Sequence, residues 1–468
     1  MARRFAAVAL LGLALAAPAH GAFGHSGRWL TTSDGRVFVP HGVDLIATRA
    51  PYFPSWFGED DARLLAREGF TVVRLLLMPA ALEPTRGKFD PAYLKQFTDR
   101  IALLARYGIA TVLAVNQDGY TEACGGDGFP AWMLVGPCDD RWEPFWENDE
   151  LDGRGLQDRY LDWWRYLAPR VAGLPSVLGL DLLNEPDAPD EEALDAFWKR
   201  TVAAVGSLTS RVVFAEPGPP GSPGFRAVVP AGTGYEPHLY CWDTLRHAFG
   251  GKLPSQQEIA RCVPELSAQL KSELAFATRN GYPFFVGEFG ASDELQEQTR
   301  IVDALGESFA PWAAYAYTSR LDSSGTPTQS LLRDDRKPAS EANAKARKLD
   351  ALVVPYPVTV AGTPTSWSYD RTTPHVRFAY STRPVGKRLG AGAQTVVFVP
   401  QRAYPHGYAA TAGGATIVSR PGAAWLRLRA LPGASSVTVA IRSRADATTR
   451  TPLDDRICGY DLRPCGSR

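Results

Sequence analysis

Two glutamates, each at the end of a short apolar run, are the residues of this chain best placed to do chemistry. Ser176-Val177-Leu178-Gly179-Leu180-Asp181-Leu182-Leu183 leads into Asn184-Glu185-Pro186, and Tyr282-Pro283-Phe284-Phe285-Val286-Gly287 leads into Glu288-Phe289-Gly290. Each run has strand length and is too brief for a helix, and proline closes the first. A carboxylate at the lip of a buried strand is costly unless it has a partner or a task. One such residue reads as the start of a turn. Two, on separate strands, are what hydrolysis of a glycosidic bond needs: one to protonate the leaving oxygen, the other to attack carbon or activate water.

The elements around them decide whether the two can meet. Ser33-Asp34-Gly35 between Arg28–Thr32 and Arg36–Val39 predicts a hairpin, whose second arm continues into a first barrel strand, Pro40 to Leu45. Helices and strands then alternate. Helices are expected over Asp60–Glu68, Pro91–Tyr107, Leu156–Val171, Glu191–Leu208, Pro264–Asn280, Asp293–Phe309 and Ser340–Leu352. Strands are expected over Phe70–Leu76, Ile109–Val115, Arg211–Glu216, Tyr235–Tyr240 and Trp312–Tyr317, beside the two already named. Tyr160, Trp163, Trp164 and Leu167 fall at i, i+3, i+4 and i+7, a stripe expected to pack on the barrel. This alternation predicts an α/β fold, a (β/α)8 TIM barrel over residues 22–353. A doubly wound sheet is the alternative, but no Gly-x-Gly-x-x-Gly follows an early strand. After Val353-Val354-Pro355-Tyr356-Pro357 the helical pattern stops and short alternating runs follow, predicting a C-terminal antiparallel β-sandwich domain over 354–468.

Length and composition bound the partners. A chain of 468 residues is too long for one ordinary core. Lys+Arg 50 against Asp+Glu 50 leaves no basic surplus, which argues against nucleic acid. Arg3-Arg4, an apolar run from Phe5 to Ala17 and the small-residue site Ala19-His20-Gly21 read as a signal peptide over residues 1–21. That run is too short to span a membrane, so a secreted or periplasmic protein without a transmembrane segment is expected. The six cysteines form an even set suited to an exported chain, and locality pairs Cys124 with Cys138, Cys241 with Cys262 and Cys458 with Cys465. No cysteine–histidine spacing indicates a metal site, and no cofactor is expected.

Catalytic groups of such barrels lie at the C-terminal ends of the strands. Those positions hold Asp44, Arg74, Asn116, Gln117, Asp118, Asn184, Glu185, Glu216, His238, Tyr240, Glu288, Tyr315 and Tyr317. With Pro51-Tyr52-x-Pro54, Glu83-Pro84-x-x-Gly87, Asp181-Leu182-Leu183-Asn184-Glu185-Pro186, Val286-Gly287-Glu288-Phe289-Gly290 and the junction Pro355-Tyr356-Pro357, the set resembles glycoside hydrolase family 5, in its endoglycoceramidase-related branch. The resemblance implies a retaining mechanism. Glu185 would be the acid and then the base, and Glu288 the nucleophile, with Arg74 and Tyr240 keeping it ionised and oriented. Asn184 would hold the sugar 2-hydroxyl and His238 would lie beside Glu185. Asn116, Gln117 and Asp118 would grip sugar hydroxyls, and the remaining strand-end groups would border the substrate. Three positions depart from the pattern: Asn116 stands for a usual His, Pro79-Ala80-Ala81-Leu82 lacks a usual Trp before Glu83, and Tyr315-Ala316-Tyr317 replaces a usual Trp.

The third loop carries Phe129-Pro130-Ala131-Trp132-Met133-Leu134-Val135, with Trp142, Phe145 and Trp146 beyond; Trp56, Phe57 and Trp242 lie in other loops. An apolar mouth there would suit a lipid leaving group, and packing of the loops on one another is the competing reading. The expected activity is a β-glycosidase cutting between glycan and lipid in glycolipids, with possible peripheral contact with lipid surfaces. The alternative is an exo-acting β-glucosidase on hydrophobic glucosides, or a β-glucanase.

Overall fold

The computed structural model describes residues 23–219, 229–249, 254–323, 325–390 and 392–444, with two short strands at Ile457–Cys458 and Arg463–Pro464. The signal segment and Cys465 lie outside the described residues. Eight parallel strands form the barrel: β1 (His41–Leu45), β2 (Val72–Leu77), β3 (Ala110–Val115), β4 (Val177–Asp181), β5 (Val212–Ala215), β6 in two pieces (Gly234–Tyr235 and His238–Leu239), β7 (Glu288–Phe289) and β8 (Trp312–Ala314). β8 pairs with β1, and the sheet runs on to the first piece of β6. The second piece of β6 pairs with β7, and bridges Val286–Trp312 and Gly290–Tyr315 return to β8, closing the circuit. Residues of β1 to β5 are buried on both faces, as a parallel sheet sheathed in helices requires.

The helices form where caps permit. Asp90 accepts from the N–H groups of Ala92 and Tyr93 and starts Pro91–Arg106. Leu156–Val171 buries Tyr160, Trp163, Trp164 and Leu167 completely, so its aromatic stripe is barrel packing. The helix before β7 starts earlier than Pro264, at Gln256, because Ser255 and Glu258 make a capping box upstream. The last barrel helix is shorter than expected, Ala346–Leu352.

Apart from the Ile457–Cys458 and Arg463–Pro464 pair, the remaining strands make two antiparallel sheets. Thr363–Asp370, His375–Ser381, Ser436–Ser443 and Tyr408–Gly413 form one. The other holds Tyr356–Val360, Gln394–Phe398, Trp425–Ala430 and Ala415–Ile417, and it also takes in Gly24–Ser26, Trp29–Thr31 and Val37–Phe38 from the other end of the chain. The inner faces meet over Val360, Val397, Leu426, Phe378, Val439 and Ile441. The sandwich is fixed to the barrel: a Cβ on Gly69, whose φ is +80, would stand 2.2 Å from the Phe398 ring. The Tyr356 hydroxyl donates to the Gly69 carbonyl at 2.6 Å. Among the described residues no helix is long and apolar enough to cross a membrane.

Candidate active site

The polar ends of the barrel strands converge on one guanidinium. Arg74 on β2 is wholly buried; its Nη1 donates to Glu288 Oε1 at 2.7 Å and to Asp44 Oδ1 at 3.4 Å. Nη2 donates to Asp181 Oδ2 at 2.6 Å, Asn184 Oδ1 at 2.9 Å and Glu216 Oε1 at 3.0 Å, and Nε lies 2.9 Å from Glu236 Oε1. Buried like charges so crowded cannot all ionise. Burial pushes the carboxyls of Asp44, Asp181 and Glu236 well above the usual range, and the neighbouring Glu288, Glu216 and Asp181 respectively add to it. At Glu216 burial is outweighed by His238 and Arg74, which hold it below. Burial also opposes charge on His238, but Glu216, Glu288 and the bond to Glu185 overcome it and raise the imidazole well above its usual range. Asp44, Asp181 and Glu236 are thus pushed toward their neutral forms and Glu216 toward its ionised form around Arg74 and His238.

Glu185 sits in a turn held by force. Its φ is 43°, a left-handed conformation that costs a glutamate on the order of 1–3 kcal/mol. Gln117 Nε2 donates to the carbonyls of Asn184 and Glu185 at 2.7 and 2.8 Å, and Asn184 Nδ2 donates back to the Gln117 carbonyl at 3.0 Å. The Glu185 N–H donates to Glu216 Oε2 at 2.8 Å. Across the pocket, Glu288 Oε2 accepts from the Tyr240 hydroxyl at 3.0 Å. His238 Nδ1 lies 2.6 Å from Glu185 Oε1 and 3.6 Å from Glu288 Oε2. One carboxyl oxygen of Glu185 and one of Glu288 are within 4.8 Å of each other. Burial raises the Glu185 carboxyl to about 7, against the pull of His238. Gly287 makes room for this arrangement, since a Cβ there would stand 2.5 Å from Glu236 Oε1 and 2.9 Å from His238 Nε2. Glu185, His238 and Glu288 are spaced as metal ligands could be, but the positive charge between the carboxylates is already supplied by Arg74 and His238.

A cavity of about 430 Å³ opens above the pair. Of the residues expected from sequence, Asn116, Asp118, Asn184, Glu185, Tyr240, Glu288 and Tyr315 line it. Asp44, Arg74, Gln117, Glu216 and His238 lie buried beneath, where they hold the lining residues. Gln117 therefore spends its amide on the turn, not on a sugar. Tyr317 is a correction. β8 ends at Ala314, not at Tyr317 as expected, so Tyr317 is not a strand-end residue, and its buried hydroxyl donates to Asp61 at 2.7 Å, away from the cavity. The third-loop aromatics also follow the packing reading: Phe129, Met133 and Phe145 are buried, and rings of Tyr120, Phe129, Trp142 and Phe145 stack edge to face. Cys124–Cys138 clamps that loop and Cys241–Cys262 braces the helix Trp242–Phe249. The expected bridge from Cys458 ends on Cys465, outside the described residues.

Sequence reasoning passed over Asp181 and Glu236 as site residues, although a carboxylate inside an apolar strand is itself a signal. It also passed over Asp127, Asp322 and Ser323, which line the cavity from loops without periodicity. The cavity has two unlike halves. Thr48, Asn116, Asp118, Asp127, Asp322 and Ser323 make one polar; Pro219, Trp242, Leu245 and Phe249 make the other apolar.

Comparison with known proteins places this geometry. Endoglycoceramidase I of Rhodococcus hoagii (strain 103S) is 29% identical over 473 residues, covering 91% of this chain and 89% of its own. The structure of endo-glycoceramidase II from Rhodococcus sp. in complex with ganglioside GM3 superposes with a TM-score of 0.72 at 22% identity, over 89% of this chain and 99% of that one. Its lactosyl-enzyme intermediate gives a TM-score of 0.70 at 22% identity, over 90% of this chain and 100% of that one. Residues 355–441 match the glycoside hydrolase family 5 C-terminal domain, and residues 41–320 match Cellulase (glycosyl hydrolase family 5). The eight-stranded barrel with its paired glutamates therefore belongs to glycosyl hydrolase family 5.

Proposed function

We propose that the chain is a retaining β-glycosidase that hydrolyses the bond between glycan and lipid in glycolipids, and that it is exported after loss of residues 1–21. The approach of the Glu185 and Glu288 carboxyl oxygens to within 4.8 Å carries the reading. Retaining glycosidases hold their carboxyls about 5–5.5 Å apart and inverting ones about 6.5–9.5 Å, to admit a water. Glu288, gripped by Arg74 and Tyr240, attacks the anomeric carbon while Glu185 protonates the leaving oxygen. Glu185 then takes a proton from water as that water displaces Glu288 and releases the sugar. A carboxyl near 7 suits both turns of this role. His238, whose Nδ1 lies 2.6 Å from Glu185 Oε1, pulls that carboxyl toward its ionised form and steadies the carboxylate each time it forms.

The unlike halves of the cavity support an amphiphilic substrate. The sugar lies among the acids and amides, and the lipid leaves over Trp242 and Phe249, which are 58% and 48% exposed. An exposed apolar lip of this kind also suits contact with a lipid surface. The named relatives, endoglycoceramidases, favour the same class of substrate. The test is mass spectrometry of products from glucosylceramide, galactosylceramide, lactosylceramide and a ganglioside. Free ceramide from at least one supports the proposal; none from any, with a glucan shortened instead, refutes it.

A further inference from the structure

The polar end of the cavity is tied together by hydrogen bonds between loops. Ser323, in the loop after β8, donates from its backbone N–H to Thr48 Oγ1 at 2.7 Å and from its hydroxyl to Asp127 Oδ2 at 2.5 Å. Asp127 belongs to the loop after β3, and its other oxygen accepts from Asn116 Nδ2 at 3.1 Å. The Arg49 N–H donates to the Leu321 carbonyl and the Ala80 N–H to the Gly128 carbonyl, each at 2.8 Å. The loops after β1, β2, β3 and β8 therefore form one hydrogen-bonded wall. Tyr315 leans on it, its hydroxyl donating to Asp322 Oδ2 at 2.6 Å. Asp127, Thr48 and Asn116 line the cavity yet are only 0%, 1% and 2% exposed.

Those exposures set the length of sugar that fits. A glycan of several residues must run outward from the first subsite, past the end opposite the leaving group. The leaving group departs over the apolar lip, so the opposite end is this wall, in which Asp127, Thr48 and Asn116 are buried and joined across loops while Asp118 stands exposed beside them. Burial raises the Asp127 carboxyl to about 8, against the pull of the Ser323 hydroxyl that donates to it.

Resting on the glycosidase reading above, we propose that Asp127, latched to Ser323 and Asn116, is the specificity-determining end wall of the sugar pocket, and that the chain acts on lipids bearing a single sugar. Nitrophenyl β-glucoside, β-galactoside and β-lactoside test this without any lipid, so the outcome stands apart from that of the ceramide assay. The better single-sugar substrate should exceed the lactoside in kcat/KM by at least about 100-fold, a larger penalty than one misplaced methylene gives. Asp127→Ala removes the wall and Ser323→Gly unlatches it, and either should narrow that ratio by about tenfold or more. Two variants are needed because the first removes a buried group and can fail to fold. Lactoside turnover equal to or above that of the single sugars in the unaltered protein overturns the proposal. So does a ratio left unchanged in a folded Ser323→Gly or Asp127→Ala variant.

Discussion

The floor of the cavity and its rim are built on opposite principles. On the floor, side chains from rigid strands meet at fixed distances around Arg74, and its carboxyl partners are buried against it. On the rim, loops meet through a few hydrogen bonds on one side and through the exposed Trp242 and Phe249 on the other. The difference assigns the chemistry to the floor, where precise placement is cheap to maintain, and substrate choice to the rim, where loops can vary. Floor substitutions should therefore lower turnover of every substrate alike, and rim substitutions should change which substrate is preferred.

The largest effect belongs to the nucleophile. Glu288→Gln should lower kcat by about 10⁴-fold or more on aryl and lipid glycosides alike, measured by product release. Glu185→Gln should cost about 10²–10⁴-fold on a lipid glycoside, whose leaving oxygen needs a proton, and far less on a dinitrophenyl glycoside, whose leaving group does not. A Glu185→Gln variant equally impaired on both would remove the acid role.

Within the floor itself, the neutral and ionised acids should part company in thermal unfolding. Glu236→Gln replaces a carboxyl that burial pushes toward its neutral form by a neutral amide and should cost less than about 1 kcal/mol. Glu216→Gln removes an ionised partner of both Arg74 and His238 and should cost about 3 kcal/mol. Equal losses would show that the charges are distributed otherwise.

On the rim, Trp242→Ala should raise KM for a ceramide glycoside about tenfold while leaving kinetics on a nitrophenyl glycoside unchanged. The smallest effect is in pH. Activity needs Glu185 protonated for the first step, so kcat/KM should fall as pH rises through about 7. The His238 imidazolium pulls the Glu185 carboxyl down, so His238→Gln should move that alkaline limb to higher pH. A downward move would reverse the assigned charge.

The same contrast governs what could be read before the fold was known. Alternating apolar runs and capped helices announce the barrel, and polar residues within or closing those runs mark the floor; Glu185, Glu288, Arg74, His238 and Tyr240 are legible this way. Asp181 and Glu236 obey the same physics but stand within longer runs of sequence, Ser176–Leu183 and Tyr235–Tyr240, whose ends hide that β4 stops at Asp181 and β6 breaks at Glu236. Tyr317 misleads because the apolar run continues past the end of β8, which stops at Ala314. The wall of Asp127, Asp322 and Ser323 has no local signature, since its members come from two loops joined only in space. Nor does sequence tell that Gly24–Ser26, at the far end of the chain, shares a sheet with Tyr356–Val360.

Retention of configuration is the property from which the rest follows, and proton NMR of the first-formed sugar reads it directly. With a β-glycoside as substrate, the β-anomer should appear first and the α-anomer only later, as mutarotation proceeds. An α-anomer formed first would mean a single displacement by water, and would contradict a nucleophilic Glu288.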